Sequence, residues 1–177
     1  MRHVSTRTTY LASMTALVLG ATLLAVPASA HADEVGGWRT FGIGLVVGYP
    51  DVGLSINFFL SRATSIQIDP LIHFHHDYGN DNGHGAIGGR VDLLFWMPTL
   101  ASWPAADLGW YWGPGANLGI GLGDNGFFGL GAELPVGIGL RFHGAPIDLN
   151  IEAVPVLHLI QDVDFGIGAA LDARYYF

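Results

Sequence analysis

Three sets of residues in this chain have the type and spacing to do chemistry. The first is a local cluster, His73, His75, His76, Asp77, Asp81 and His84. Histidines two apart on a strand point the same way, so His73 and His75 can share a metal such as zinc, with His84 or a loop Asp as third ligand. The plainer alternative, a polar loop that happens to carry histidine, is preferred. The second set is Ser65, Asp69 and His73, the residue types of a hydrolytic triad. They share one strand face, but each step of four residues spans about 13 Å at ordinary strand rise. They cannot form a triad alone, and nothing singles out His143 or His158 as a partner from another strand. The third set is Asp69, Arg90, Asp92, Glu133, Arg141, Asp148, Glu152, Asp172 and Arg174. These are charges spaced through otherwise apolar sequence, and their chemistry depends on whether they meet.

The elements that must position them follow from a period of two. Apolar residues alternate with small or polar ones in segments separated by turn signals, which puts the two sets on opposite faces of extended strands. The segments fall at 40–49, 52–60, 64–75, 87–97, 109–123, 127–142, 147–160 and 163–177. A polar connection covers 76–85, a second long one covers 98–107, and Gly123-Asp124-Asn125-Gly126 is a hairpin signal. Pro70, Pro114, Pro135 and Pro155 fall inside these segments, where bulges or strand ends are expected. One face collects all nine charges, with Asn57, Gln67, His73, Asn117 and Asn150. It also collects many glycines and the large Phe59, Trp96 and Tyr176. The glycines either make room for large side chains on facing strands or hollow out a pocket or thin water path.

Composition narrows the classes. The chain of 177 residues is 50% hydrophobic and 12% charged, with mean hydropathy +0.40. The most apolar candidate for a membrane helix, 41–60, contains Gly42, Gly44, Gly48, Pro50 and Gly53, too many helix breakers for one span. Apolar content spread in alternation is what a membrane β-barrel shows, and only helices and closed barrels satisfy backbone polar groups in lipid. Arg2 and Arg7, an apolar run at 11–26 and small residues up to Ala32 read as a secretory signal peptide over 1–32, with cleavage after Ala30 or Ala32. A single domain, 33–177, follows. It keeps Arg39, Arg62, Arg90, Arg141 and Arg174 against fifteen acidic residues, a balance that excludes phosphate-neutralising nucleic-acid binding. Without cysteine, disulfides and lipidation of an N-terminal Cys are excluded.

The last strand carries a resemblance. Leu171, Ala173, Tyr175 and Phe177 alternate toward an aromatic C-terminal residue, as in the closing strand of bacterial outer-membrane barrels, where it resembles the signal read by the barrel-assembly machinery. With the signal peptide and eight segments, the chain resembles small barrels of the OmpA transmembrane-domain and OmpX type over nearly all of 38–177. The resemblance implies an all-β fold, an eight-stranded antiparallel up-and-down transmembrane β-barrel in the outer membrane of a Gram-negative bacterium. It also implies outer-membrane lipid, the assembly machinery and periplasmic chaperones as partners. The chain departs from the family in stopping at the barrel, without the peptidoglycan-binding domain, and in its short surface connections. A monomer without cofactor and without enzymatic activity is expected, with a structural or surface-interaction role and a lumen plugged by the charges. The alternatives are a narrow porin-like channel, a lipocalin-like binder of an apolar ligand, and an outer-membrane lipid-modifying enzyme.

Overall fold

Alternation does produce strands at each of these segments. The computed structural model describes residues 40–49, 51–75, 84–122, 128–160 and 163–177. The expected signal peptide, Trp38, most of the 76–85 connection and the Gly123–Gly126 hairpin lie outside them. The strands are β1 (Phe41–Tyr49), β2 (Asp51–Ser61), β3 (Thr64–His75), β4 (His84–Trp96), β5 (Ala101–Ser102), β6 (Ala106–Trp112), β7 (Gly115–Gly121), β8 (Phe128–Glu133), β9 (Val136–Phe142), β10 (Ile147–His158) and β11 (Asp164–Tyr176). All pairings are antiparallel, and β11 pairs with both β10 and β1, so the sheet closes on itself. No helix among the described residues is long and apolar enough to cross a membrane, a finding silent on strands.

Eleven strands make a ring of eight because β6 and β7 lie end to end, as do β8 and β9, and because the two-residue β5, paired only with β6, adds no further position to the ring. The interruptions fall at Pro114 and Pro135. The expected strand ends are therefore found at two of the four prolines, and the segments expected as 109–123 and 127–142 are each split. Register is continuous across both breaks, since β6 and β7 face the same strand β4, and β8 and β9 the same strand β10. A proline lacks only its donor. The carbonyls of Pro114, Pro135 and Pro155 still accept from Leu93, Gly113 and Leu134 at 3.0, 3.1 and 3.0 Å. Pro70 and Pro155 mark neither a bulge nor an end but sit within β3 and β10. Pro155 faces the break that Pro135 already makes, and pairing of β2 with β3 lapses beside Pro70, between Gly53 and Ile56. The one register shift in that pair lies elsewhere, between Phe59 and Ser61. A further departure is β5, a two-residue strand on β6 inside the expected 98–107 connection.

The stagger of the ring can be followed from Tyr49 through its register partners Ala169, Ala153, Val136, Trp112 and Phe95 to Thr64 and Ser61. One circuit returns to β1 about ten residues from its start, which for eight strands implies a tilt of roughly 40° and an interior that side chains can fill. The residues that fill it are unusually polar. Asn57, Gln67, Asp69, Asn150, Asp172 and Arg174 are fully buried, whereas Leu54, Ile72, Val91, Leu118, Ile138 and Ile151 are exposed on the outer face.

At the C-terminal end the interior is aromatic. Trp96 and Tyr111 lie with ring centroids 4.4 Å apart, Phe59 lies 5.7 Å from Trp96, and Tyr176 lies 5.9 Å from Phe59. Glycine makes this fit: Gly137 is the register partner of Tyr111 and Gly42 that of Tyr176. A Cβ on Gly42 would come within 2.6 Å of the Tyr176 ring, and one on Gly137 would overlap the Tyr111 ring. Gly137→Ala is accordingly expected to destabilise the fold by about 1–3 kcal/mol through overpacking. Gly144→Ala, at a turn where nothing lies within 4 Å, should stay within about 0.5 kcal/mol. Denaturant unfolding midpoints of the two variants check this.

Candidate functional site

Cross-strand register brings the interior charges together. Asp69 on β3 is directly opposite Arg90 on β4, and Asp148 on β10 is directly opposite Arg174 on β11. Arg90 donates through Nε to Asp69 Oδ2 and through Nη2 to Glu152 Oε2, both at 2.6 Å. Arg174 donates through Nε to Asp148 Oδ1 at 3.1 Å and through Nη1 to Gln67 Oε1 at 2.6 Å. Gln67 joins the two clusters, because its amide nitrogen donates to Asp69 at 2.9 Å and to Glu152 at 3.3 Å. The Tyr111 hydroxyl donates to Glu152 at 2.7 Å, and that of Tyr176 to Asp148 at 2.7 Å while accepting from Asn57 at 3.0 Å. The bonds run from β3 and β4 to β10 and β11 across the ring.

The remaining charges sit at the margins of this network. Arg141 stacks over the interior aromatics, its guanidinium carbon 3.9 Å from the Trp96 ring centre and 4.8 Å from that of Phe59. Asp172 is fully buried beside Asn150 in register. Asp92 lies 3.6 Å from Arg90 Nε, and Glu133 accepts from Asn117 at 2.7 Å. Beyond them, toward the end of the ring opposite Phe177, the interior opens into a cavity of about 480 Å³. Val46, Leu71, Ala86, Val154 and Val156 line it, with Arg90, Asn117 and Glu133 at its base and Asp51, His73 and His158 farther out. Glycine thus serves both of the roles open from sequence, making room for rings at one end and widening the space at the other, where Gly119, Gly129, Gly166 and Gly168 line the cavity.

No protein-family model, no curated protein and no solved structure matches this chain. What the interior can do is therefore read from its geometry. Ser65 accepts from the Trp96 indole at 3.0 Å, Asp69 is held by Arg90 and Gln67, and the His73 ring meets Asp51, its register partner. Ser65, Asp69 and His73 are thus each engaged elsewhere and do not meet. His75 and His84 are register partners, but their side chains lie outside the described residues. Among the described residues no group of three or more His, Asp or Glu is placed to hold a metal ion. The four residues of the resemblance to an assembly signal, Leu171, Ala173, Tyr175 and Phe177, fall on the outer face of β11 and at its end, with the Tyr175 and Phe177 rings 5.0 Å apart.

Sequence reading missed Tyr111 as a member of the network, although its place between Gly109 and Gly113 in an alternating segment marks it as inward. It also missed a surface cluster at the C-terminal end. His143 Nε2 lies 3.0 Å from Asp107 Oδ2, and Nδ1 lies 3.2 Å from the Pro104 carbonyl. Protonated, the ring donates to both; neutral, it can donate to only one. The hydrogen bond to Asp107, and then that to the Pro104 carbonyl, raise the His143 pKa above its ordinary 6.5. A pKa raised on folding adds stability below the unfolded value and loses it as pH rises through the folded one. A chemical-shift titration is expected to show this raised midpoint, and Asp107→Asn to return it toward 6.5.

The buried pairs lead to a larger effect. Removing one partner of a buried ion pair leaves an uncompensated charge and costs about 3–5 kcal/mol. Arg174→Met strands Asp148 at the centre of the network and should cost that much in equilibrium unfolding. Exposed Arg62→Met, which no such partner holds among the described residues, is the control and should be near neutral.

Proposed function

We propose that this chain is an integral β-barrel of a bacterial outer membrane, with a structural or surface-interaction role and an interior closed by its charge network. The observation that carries the reading is the inverted polarity of the ring: carboxylates, arginines and amides inside, exposed leucine, isoleucine and valine outside at each of its eight positions, counting β6 with β7 and β8 with β9. Soluble monomers rarely expose apolar patches larger than a few hundred Å², and a soluble ligand-binding barrel would be polar outside. Lipid is the solvent that suits such a surface, and strands of 9 to 13 residues, with the end-to-end pairs of β6 with β7 and β8 with β9, are at this tilt long enough to cross it.

The outer aromatics support the same reading. Phe41, Phe58 and Phe177 stack at the C-terminal end, with centroids 4.9 and 5.9 Å apart, and Phe95 meets Trp112 at 5.5 Å. Phe128 and Phe165 are exposed at the other end. Aromatic girdles at both interfaces are typical of outer-membrane strands. By the same reading the polypeptide would be exported, chaperoned across the periplasm and folded by the assembly machinery.

Against a channel stands the run of side-chain bonds from β3 to β10 and the Trp96–Tyr111 stack beside it. In detergent the protein is expected to migrate anomalously on gels until boiled, and in planar bilayers to give no reproducible conductance steps. Mobility unaffected by boiling would count against the barrel. Regular conductance steps would overturn the closed interior and favour a narrow channel.

A further inference from the structure

We infer that the cavity is a binding site for a small apolar organic cation, a protonated amine on a compact hydrocarbon body. This goes beyond the reading above, which assigns the interior no ligand. The first ground is shape and lining. Val46, Leu71, Val154 and Val156 supply apolar wall, and about 480 Å³ is space for a small ligand. The second ground is an unbalanced negative charge at its base. Glu133 lines the cavity and is only 7% exposed, yet its Oε1 has no hydrogen-bond donor. Asp92, 1% exposed, has Arg90 at 3.6 Å and is hydrogen-bonded to Glu133, so the two carboxylates share one proton and keep one negative charge between them. The two residues are register partners of Gly115 from either side, and both side chains crowd over it.

Arg90 does not neutralise this pair, because its close bonds at 2.6 Å go to Asp69 and Glu152. Two carboxylates this near each other need a proton or a cation between or beside them. A cation entering from the cavity must shed water into apolar walls, which selects an organic ammonium over a strongly hydrated metal ion. An anionic amphiphile such as a fatty acid is disfavoured by the same charge. The ammonium would donate to Glu133 while the hydrocarbon body covers Val154 and Val156.

The test compares 1-adamantylammonium with 1-adamantanol, equal in body and different in head, by calorimetry on the full protein in detergent. Saturable binding of the amine, at least tenfold tighter than the alcohol, is expected. Glu133→Gln should weaken the amine at least tenfold and leave the alcohol within twofold, and Val156→Trp, which fills the cavity, should abolish both. Absence of saturable amine binding, equal affinity for amine and alcohol, or undiminished binding to Val156→Trp would each overturn the inference. The amine–alcohol comparison on the unaltered protein needs no variant to fold. Failure here leaves gel mobility and conductance untouched, so it is distinguishable from failure of the barrel reading.

Discussion

Everything inside the ring depends on two arginines that cannot leave it. Arg174 is fully buried and Arg90 nearly so, in a space bounded by eight strands. A buried guanidinium is tolerable only when its donors find carboxylates or amides with good geometry. Each arginine meets this need through its directly opposite neighbour in the sheet, Asp69 for Arg90 and Asp148 for Arg174. Register is therefore more than a consequence of backbone pairing. A slip by one residue would turn both arginines outward and strand their carboxylates, so the ion pairs penalise every wrong register of β3–β4 and β10–β11. Gln67 extends that coupling across the ring, since one amide meets partners from both clusters.

The size of inward side chains, more than their polarity, decides which part of the interior is solid. At the C-terminal end Trp96, Tyr111, Phe59 and Tyr176 are large, and glycines directly opposite the two tyrosines take the excess volume. Toward the other end the inward positions hold glycine, alanine and valine with few large residues to oppose them, and a cavity remains. A ring of fixed circumference cannot shrink locally to close such a space, because its diameter is set by strand number and stagger. Filling needs a side chain or a ligand. The transition falls at Arg90, Asp92 and Glu133, where charges that serve the network on one side border apolar wall on the other.

Much of this was legible in the chain because a two-residue period is unforgiving. Once the strands at 64–75 and 147–160 are recognised, Gln67, Asp69, Asp148, Asn150 and Glu152 can face only one way, and the apolar residues between them only the other. The prolines were partly legible. That Pro114 and Pro135 break strands follows from the missing donor, but that Pro155 breaks nothing depends on its facing the break at Leu134 and Pro135 across the sheet, which is a property of register. Pairings across the interior were not legible at all. Gln67 and Glu152 stand on strands far apart in sequence, and only the closed geometry brings them within 3.3 Å. The cavity is invisible for the same reason: Val46, Leu71 and Val154 belong to three strands, and none is unusual alone.

The closing strand unites these levels. β11 contributes Arg174 and Asp172 inward, Tyr175 outward, and its backbone to both neighbours. Tyr176 bonds Asp148 on β10 and Asn57 on β2, one on each side of the seam where the first and last strands, β1 and β11, meet. Joining first and last strands is the least local contact in such a topology and the most costly in chain entropy. Buried polar bonds across the seam reward closure only when it is complete, because a half-closed ring would leave Arg174 without its acceptor Gln67 and the Tyr176 hydroxyl without its donor Asn57. The residues that fill the interior therefore also decide that the sheet ends as a ring and not as an open edge.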